Sequence, residues 1–336
     1  MTYKSTDIKN IIAEILEAKK DVGGVKSLYF VGCGGSLGAL YPAKTFMEKE
    51  CGNLKSALIS SNEFVHSTPK DFGKNSIVCL SCHKGNTPET IAAAKMGKEM
   101  GASVILLTWL PESEIIEFGD YVILYSFDAS PDHLAGDIDY AGEKTMCALL
   151  VAVETLNQTA GYESYDKFMD GVGMITTVIR NARAHVAERA AAFAQEYKDD
   201  SVIYTMGSGA SYGAAYMESI CIFMEMQWLD SSSIHTGEFF HGPFEITDAN
   251  RPFMIQISEG STRVLDERAL RFLRTYAKRI EVLDAKELGL SVIDASVVDY
   301  FNHSLFNNVY PIYNHQLAEA RKHPLPTRRY MWKVEY

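Results

Sequence analysis

Short apolar runs and longer amphipathic stretches alternate along the chain. Residues 27–31 form an apolar run rich in aromatic and β-branched side chains, the composition of a strand. Runs at 54–59, 76–80, 104–108 and 121–125 have the same character. Between them, 37–49 and 87–100 read as helices, and an amphipathic helix follows the first five residues. The second half repeats the plan, with strands at 202–206, 232–235, 253–257 and 280–283 and helices at 212–227 and 262–278. Residues 143–156 and 165–197 read as helical connectors. Strands alternating with helices of this length predict an α/β fold, a parallel sheet flanked by helices in three layers.

The halves are related position by position. Gly32, Gly34, Ser36, Gly38, Ala39 and Tyr41 recur 175 residues later as Gly207, Gly209, Ser211, Gly213, Ala214 and Tyr216. Glu63, Phe64 and His66 recur as Glu238, Phe239 and His241, and Gly85 and Thr87 as Gly260 and Thr262, at the same offset. One constant, domain-sized offset across three loops implies two copies of one α/β unit. The boundary is set near residue 165, giving domains 1–164 and 165–336, a division that suits a chain of 336 residues.

Composition narrows the partners. Hydrophobic residues make up 47%, enough for packed cores, and the formal net charge is −11 with no basic stripe. Nucleic acid is excluded as a partner, because backbone phosphates need clustered Lys and Arg. A small anion is not excluded, since such sites are built locally from backbone N–H groups and one or two cations. With no apolar signal core and no apolar run of membrane-spanning length, no membrane partner is expected and the expected compartment is the cytoplasm. Cys79 and Cys82 have CxxC spacing, but no second pair completes a zinc set and the segment also reads as a buried strand.

Ligands of open parallel sheets sit beyond the carboxyl ends of the strands. In the first half, Gly32-Cys33-Gly34-Gly35-Ser36 leaves a strand there. Its glycines let backbone N–H groups approach an anion, and Ser36 adds a hydroxyl; a tight turn with an N-cap serine is the simpler alternative. The loop Ser81-Cys82-His83-Lys84-Gly85-Asn86-Thr87 leads into a helix, with Thr87 as its N-cap and Pro88 at its first position. It offers hydroxyls, a lysine and a histidine at one helix end. The matching loop of the second half, Ser258-Glu259-Gly260-Ser261-Thr262, has a carboxylate and no lysine, a poorer anion site.

These motifs resemble the SIS (sugar isomerase) family of phosphosugar-binding proteins, as a tandem of two SIS domains over nearly the whole chain. The likeness rests on Cys33–Ser36, on His83–Thr90 and on Gly237-Glu238-Phe239-Phe240-His241-Gly242-Pro243. It extends through 192–200, 218–228, 237–250, 301–311 and the tail from Arg328 to Tyr336, where it is closest to the double-SIS deglycases of fructose-asparagine 6-phosphate. The resemblance implies hydrolysis of 6-phosphofructose-aspartate, an Amadori adduct, to glucose 6-phosphate and L-aspartate, with no cofactor. It implies Glu225 and His241 as the acid–base pair, the histidine coming from the partner subunit of a homodimer whose active sites lie at the subunit interface. Gly34, Gly35, Ser36, Cys82, His83, Lys84 and Thr87 fall on phosphate-site positions. Many relatives have serine where Cys82 stands, and Ile222 occupies the place of an isomerase lysine, so Schiff-base chemistry is not implied.

The residue chemistry is compatible with that assignment. Glu225 lies in the apolar stretch 220–226, where a carboxylate is costly unless paired or used. His241 can exchange protons near neutrality, or make a structural hydrogen bond. Glu238 can orient His241, cap a turn or hold a sugar hydroxyl; because Glu63 and His66 repeat the motif in the other half, part of it is architectural. Glu218, on the same helix as Glu225, is a further sugar-binding or supporting group. His235, Glu238 and His241 are spaced by three, but Gly237 and Pro243 break the helix a metal set would need, so no metal is expected. Arg328, Arg329 and Lys333 either end in solvent or fold over the site, where arginine suits the carboxylates of an amino-acid leaving group. Competing functions are a phosphosugar aldose–ketose isomerase, a deglycase for fructoselysine or glucoselysine 6-phosphate, and a non-enzymatic phosphosugar sensor.

Overall fold

The computed structural model describes residues 1–128, 130 and 138–335; Tyr336 of the tail lies outside the described residues. The chain divides into two compact units, the first built on Met1–Phe127 and reaching Thr176, the second running from Thr177 onward.

In the first unit, β1 (Thr2–Tyr3), α1 (Ile8–Ala18), β2 (Ser27–Gly32), α2 (Gly35–Gly38), α3 (Tyr41–Glu50), β3 (Lys55–Ser60), α4 (Ser61–His66), β4 (Ser76–Ser81), α5 (Pro88–Glu99), β5 (Ser103–Thr108), β6 (Tyr121–Leu124) and α6 (Lys144–Ala160) follow one another. The six strands form one all-parallel sheet in the order β1-β6-β5-β4-β2-β3. Every residue of β2 and β4 is buried, which is why these segments read as continuous apolar runs and not as alternating ones. One face packs Tyr29, Val31, Val78, Leu80, Val104 and Leu106 with Phe64 and Phe72. α6 is buried over nearly all of its first thirteen residues and packs on α1 and α3.

α7 (Tyr165–His185) leads into the second unit. There α8 (Ala187–Tyr197), β7 (Tyr204–Gly207), α9 (Tyr212–Met217), β8 (Ser233–His235), β9 (Phe253–Ile257), α10 (Arg263–Tyr276), β10 (Ile280–Asp284) and α11 (Asn302–Ala320) build a parallel sheet in the order β10-β9-β7-β8. The pairing repeats at the offset of the sequence. Ser27↔Lys55 and Gly32↔Ser60 recur as Val202↔Asp230 and Gly207↔His235, and Tyr29↔Val78 recurs as Tyr204↔Phe253. Val78↔Val104 recurs as Phe253↔Ile280, one residue later, so the second copy carries one extra residue between β9 and β10.

Three expected helices are interrupted. The stretch 37–49 splits into α2 and α3, because Pro42 has no N–H to give to Gly38 and begins a new helix instead. The stretch 165–197 breaks at Val186, between α7 and α8. The stretch 212–227 is α-helical only as far as Met217; Glu218–Met226 is a π-helix, a wider coil that recurs at functional sites.

Candidate functional site

In the second unit the strand ends are tied together from within. Asp266, fully buried on α10, accepts from Ser208 Oγ after β7 (2.6 Å), Thr236 Oγ1 after β8 (2.6 Å) and the Ser258 N–H after β9 (2.9 Å). Ser211 Oγ meets Ser258 Oγ at 2.9 Å. Burial pushes the Asp266 carboxyl upward while these donors pull it back. Gly209, at φ +53°, leaves no room for a Cβ, which would stand 2.9 Å from the Thr262 side chain. The hydroxyls and N–H groups that would surround an external anion are thus engaged by the chain itself.

Both acidic residues of the π-helix are removed from water, in different ways. Glu218 is fully buried; Asn314 Nδ2 donates to its Oε2 (3.1 Å), and its Oε1 has no partner among the described residues. Burial raises its pKa to about 8, with the Asn314 bond opposing. Close by, the Gln256 amide satisfies its neighbours when its nitrogen donates to the Ser211 carbonyl (3.1 Å) and its oxygen accepts from the Tyr310 hydroxyl and the Ala215 N–H (3.2 Å). Glu225 keeps about a fifth of its side chain exposed and lies 2.7 Å from Arg328 Nη2. Burial raises the Glu225 carboxyl and the guanidinium partly reverses the shift.

The tail that supplies Arg328 is folded against this helix. Arg328 Nη1 donates to the carbonyls of Leu325 (2.6 Å) and Thr327 (2.9 Å), and Lys333 Nζ donates to the Arg328 carbonyl (2.6 Å). Arg329 lies over the Trp228 ring at 4.0 Å, and Gln227 Nε2 donates to the His323 carbonyl (2.9 Å). His241 and Glu238 are exposed, on the turn after β8, where the His241 N–H donates to the Glu238 carbonyl (2.9 Å) and the Glu238 N–H to the His235 carbonyl (2.9 Å). No hydrogen bond joins Glu225 to His241 among the described residues. His235 Nδ1 accepts from the Gly237 N–H (3.1 Å).

The first unit is open where the second is closed. Gly34, at φ +53°, is the N-cap of α2, so Ser36 lies within the first turn and is not the cap that the simpler reading assigned to it. Ser36 Oγ makes no hydrogen bond among the described residues. Thr87 does occupy the N-cap of α5, yet its side chain makes no capping bond, which leaves its hydroxyl for another acceptor. Gly85, at φ +66°, would drive a Cβ to 2.1 Å from Ser113 Oγ, so only glycine fits the turn. His83 Nδ1 is 2.5 Å from the Tyr125 hydroxyl, and its ring stacks on Trp109 at 5.6 Å. Lys84 is exposed, and Cys82 is a buried, free thiol, as is Cys79. Ser81 Oγ and Thr145 Oγ1 are buried without a partner among the described residues.

The chain is similar to known proteins. The chain is 41% identical over 312 residues to the fructosamine deglycase FrlB of Bacillus subtilis strain 168, covering 93% of each. The chain belongs to the SIS-domain fructosamine deglycase family. Another member, fructoselysine 6-phosphate deglycase of Escherichia coli K12, is 26% identical over 287 residues, 85% of this chain and 80% of that one. Among solved structures, a Salmonella typhimurium LT2 protein provisionally assigned as a phosphosugar isomerase superposes with TM-score 0.93 and 45% identity over 100% of both chains. No family model matches the chain.

In the first unit of this family member two side chains escaped the reading of the motifs. Lys144, at the start of α6, reaches to 3.5 Å from the Gly35 carbonyl and lies over the Tyr125 ring at 5.9 Å. It is 109 residues from the glycine turn, and no local pattern connects them. Tyr125 is legible only as a strand residue, although its hydroxyl meets His83.

Proposed function

We propose that the chain hydrolyses a 6-phosphorylated Amadori adduct to glucose 6-phosphate and a free amino acid, with 6-phosphofructose-aspartate as substrate. The observation that carries this reading is Glu225, a carboxylate partly withdrawn from water in an apolar π-helix and bonded to one guanidinium. Such a group combines a raised proton affinity with a fixed orientation, as a base for carbon acids requires.

The domain 1–164 holds the phosphate through Gly34, Gly35, Ser36, Cys82, His83, Lys84 and Thr87. In support, the Thr87 hydroxyl is not spent on capping, and two glycines take backbone conformations that favour glycine. The domain 165–336 supplies the acid–base pair. His241 donates a proton to the ring oxygen, the ring C2–O bond breaks, and the anomeric hydroxyl returns its proton to His241 as it becomes the C2 ketone. Glu225 removes a proton from C1, the electron pair moves toward C2, and His241 protonates the C2 oxygen. Loss of the N–H proton and return of a proton to C2 leave an aldimine between C1 and nitrogen. Water adds to C1 and the C–N bond breaks, giving the aldehyde of glucose 6-phosphate and the amine. Glu218 and Glu238 support the sugar side and Lys333 braces the tail. The protein works as a cytoplasmic homodimer, each site pairing Glu225 of one copy with His241 of the other; the exposed position of His241 is compatible with this, and free thiols suit a reducing compartment.

Incubation with 6-phosphofructose-aspartate should release aspartate and glucose 6-phosphate. Absence of aspartate above background would reject the assignment, and conversion of the sugar without amine release would favour an isomerase. Glu225→Ala and His241→Ala should each slow turnover at least about a hundredfold. Adducts of lysine belong in the same panel, since the E. coli relative bears that activity in its name.

A further inference from the structure

Arg328 is bonded unevenly. Its side chain is only 8% exposed. Nη1 serves two tail carbonyls and Nη2 meets one oxygen of Glu225, while Nε is buried and has no partner among the described residues. A guanidinium binds a carboxylate best through two parallel bonds, and the Nε–Nη2 edge is one of its two-donor faces. Here that edge is half used, and a buried N–H left unpaired is unfavourable. The pair with Glu225 is therefore a resting contact that a better-placed carboxylate can replace.

The surroundings favour an incoming anion. In a chain of net charge −11 the stretch 321–333 carries Arg321, Lys322, His323, Arg328, Arg329 and Lys333 and no acid. It meets the helix of Glu225 and the residues after it through Arg328–Glu225, Gln227–His323 and Arg329–Trp228. The cationic neighbours Arg321 and Arg329 even depress the His323 pKa, after the larger effect of burial. Arg329 is turned onto Trp228 and Lys333 onto a backbone carbonyl, so Arg328 is the tail cation that faces the base.

We propose that Arg328 reads the carboxylate next to the nitrogen of the amino-acid half of the substrate, taking it on the Nε–Nη2 edge and thereby releasing Glu225 to act as the base. The inference rests on the deglycase reading and narrows it to adducts of α-amino acids joined through their α-nitrogen. Substrate binding and base activation become one event. An adduct without that carboxylate leaves Glu225 tied to the guanidinium, where its affinity for a proton is lowest.

Two substrates that differ only in the carboxylate make the test: 6-phosphofructose joined to glycine and 6-phosphofructose joined to methylamine. The wild-type protein should prefer the glycine adduct in kcat/KM by about thirtyfold, the scale of a charge-assisted two-point contact. Arg328→Met should collapse the preference to within about threefold. Arg328→Lys keeps a positive charge opposite Glu225 but has no fork, so it should fold normally and also lose most of the preference. Equal losses on both adducts in either variant would overturn the proposal and leave Arg328 as a brace for Glu225. Equal turnover of both adducts by the wild type would overturn it as well while sparing the deglycase reading. If the wild type cleaved neither adduct nor the aspartate adduct, both readings would fall together.

Discussion

Glu218 shows how far one side chain can set the pH behaviour of a fold. Its carboxyl titrates near 8 in the folded chain against 4.5 for an ordinary glutamate, because full burial disfavours the charge. The folded state therefore binds this proton more tightly than the unfolded one. The resulting stabilisation is complete below the unfolded value and is lost as pH rises from 4.5 through about 8. Melting temperatures of the wild type should fall over that window more steeply than those of Glu218→Gln, whose neutral amide keeps the size and cannot ionise. Parallel curves for the two proteins would mean that Glu218 is already charged in the fold.

The elements were readable where burial alone decides them. Strands such as β2 and β4 are sandwiched on both faces, so their apolar runs appear directly in the sequence. Glycine turns were equally visible, since Gly34 and Gly85 stand where φ is positive. The π-helix was not: an α-helix and a wider coil share the same apolar composition over 218–226, and only packing separates them. Nor does any local pattern join Arg328 to Glu225 or Lys144 to Gly35, contacts made across more than a hundred residues of chain. Asp266 was overlooked because an acid on the first turn of a helix ordinarily only complements the helix end. Here it crosslinks the ends of three strands. Asp266→Ala should destabilise the second unit by about 3 kcal/mol, since two buried hydroxyls and one N–H lose their acceptor. Chemical denaturation measures this, and a change within experimental error would show that water replaces the carboxylate at no cost.

For the molecule as a whole, the arrangement of the acid–base pair makes a prediction that no single chain can answer. If each site draws Glu225 from one copy and His241 from the other, Glu225→Ala and His241→Ala proteins are each inactive but complement one another. Mixed and reassembled in equal amounts, they should regain about a quarter of the wild-type rate, because half of the random dimers are mixed and each mixed dimer has one intact site. Activity no higher than that of the separate variants would place both groups in one copy.

The duplication also leaves the two halves unequal in what they ask of a ligand. At the strand ends of the second half Asp266 is an acceptor supplied by the chain itself for Ser208, Thr236 and the Ser258 N–H. In the first half the Ser81 and Thr145 hydroxyls are buried without a partner among the described residues, and the Thr87 hydroxyl makes no capping bond. A phosphate ester would meet uncommitted hydroxyls in the first copy only, whereas those at the strand ends of the second are already given to Asp266.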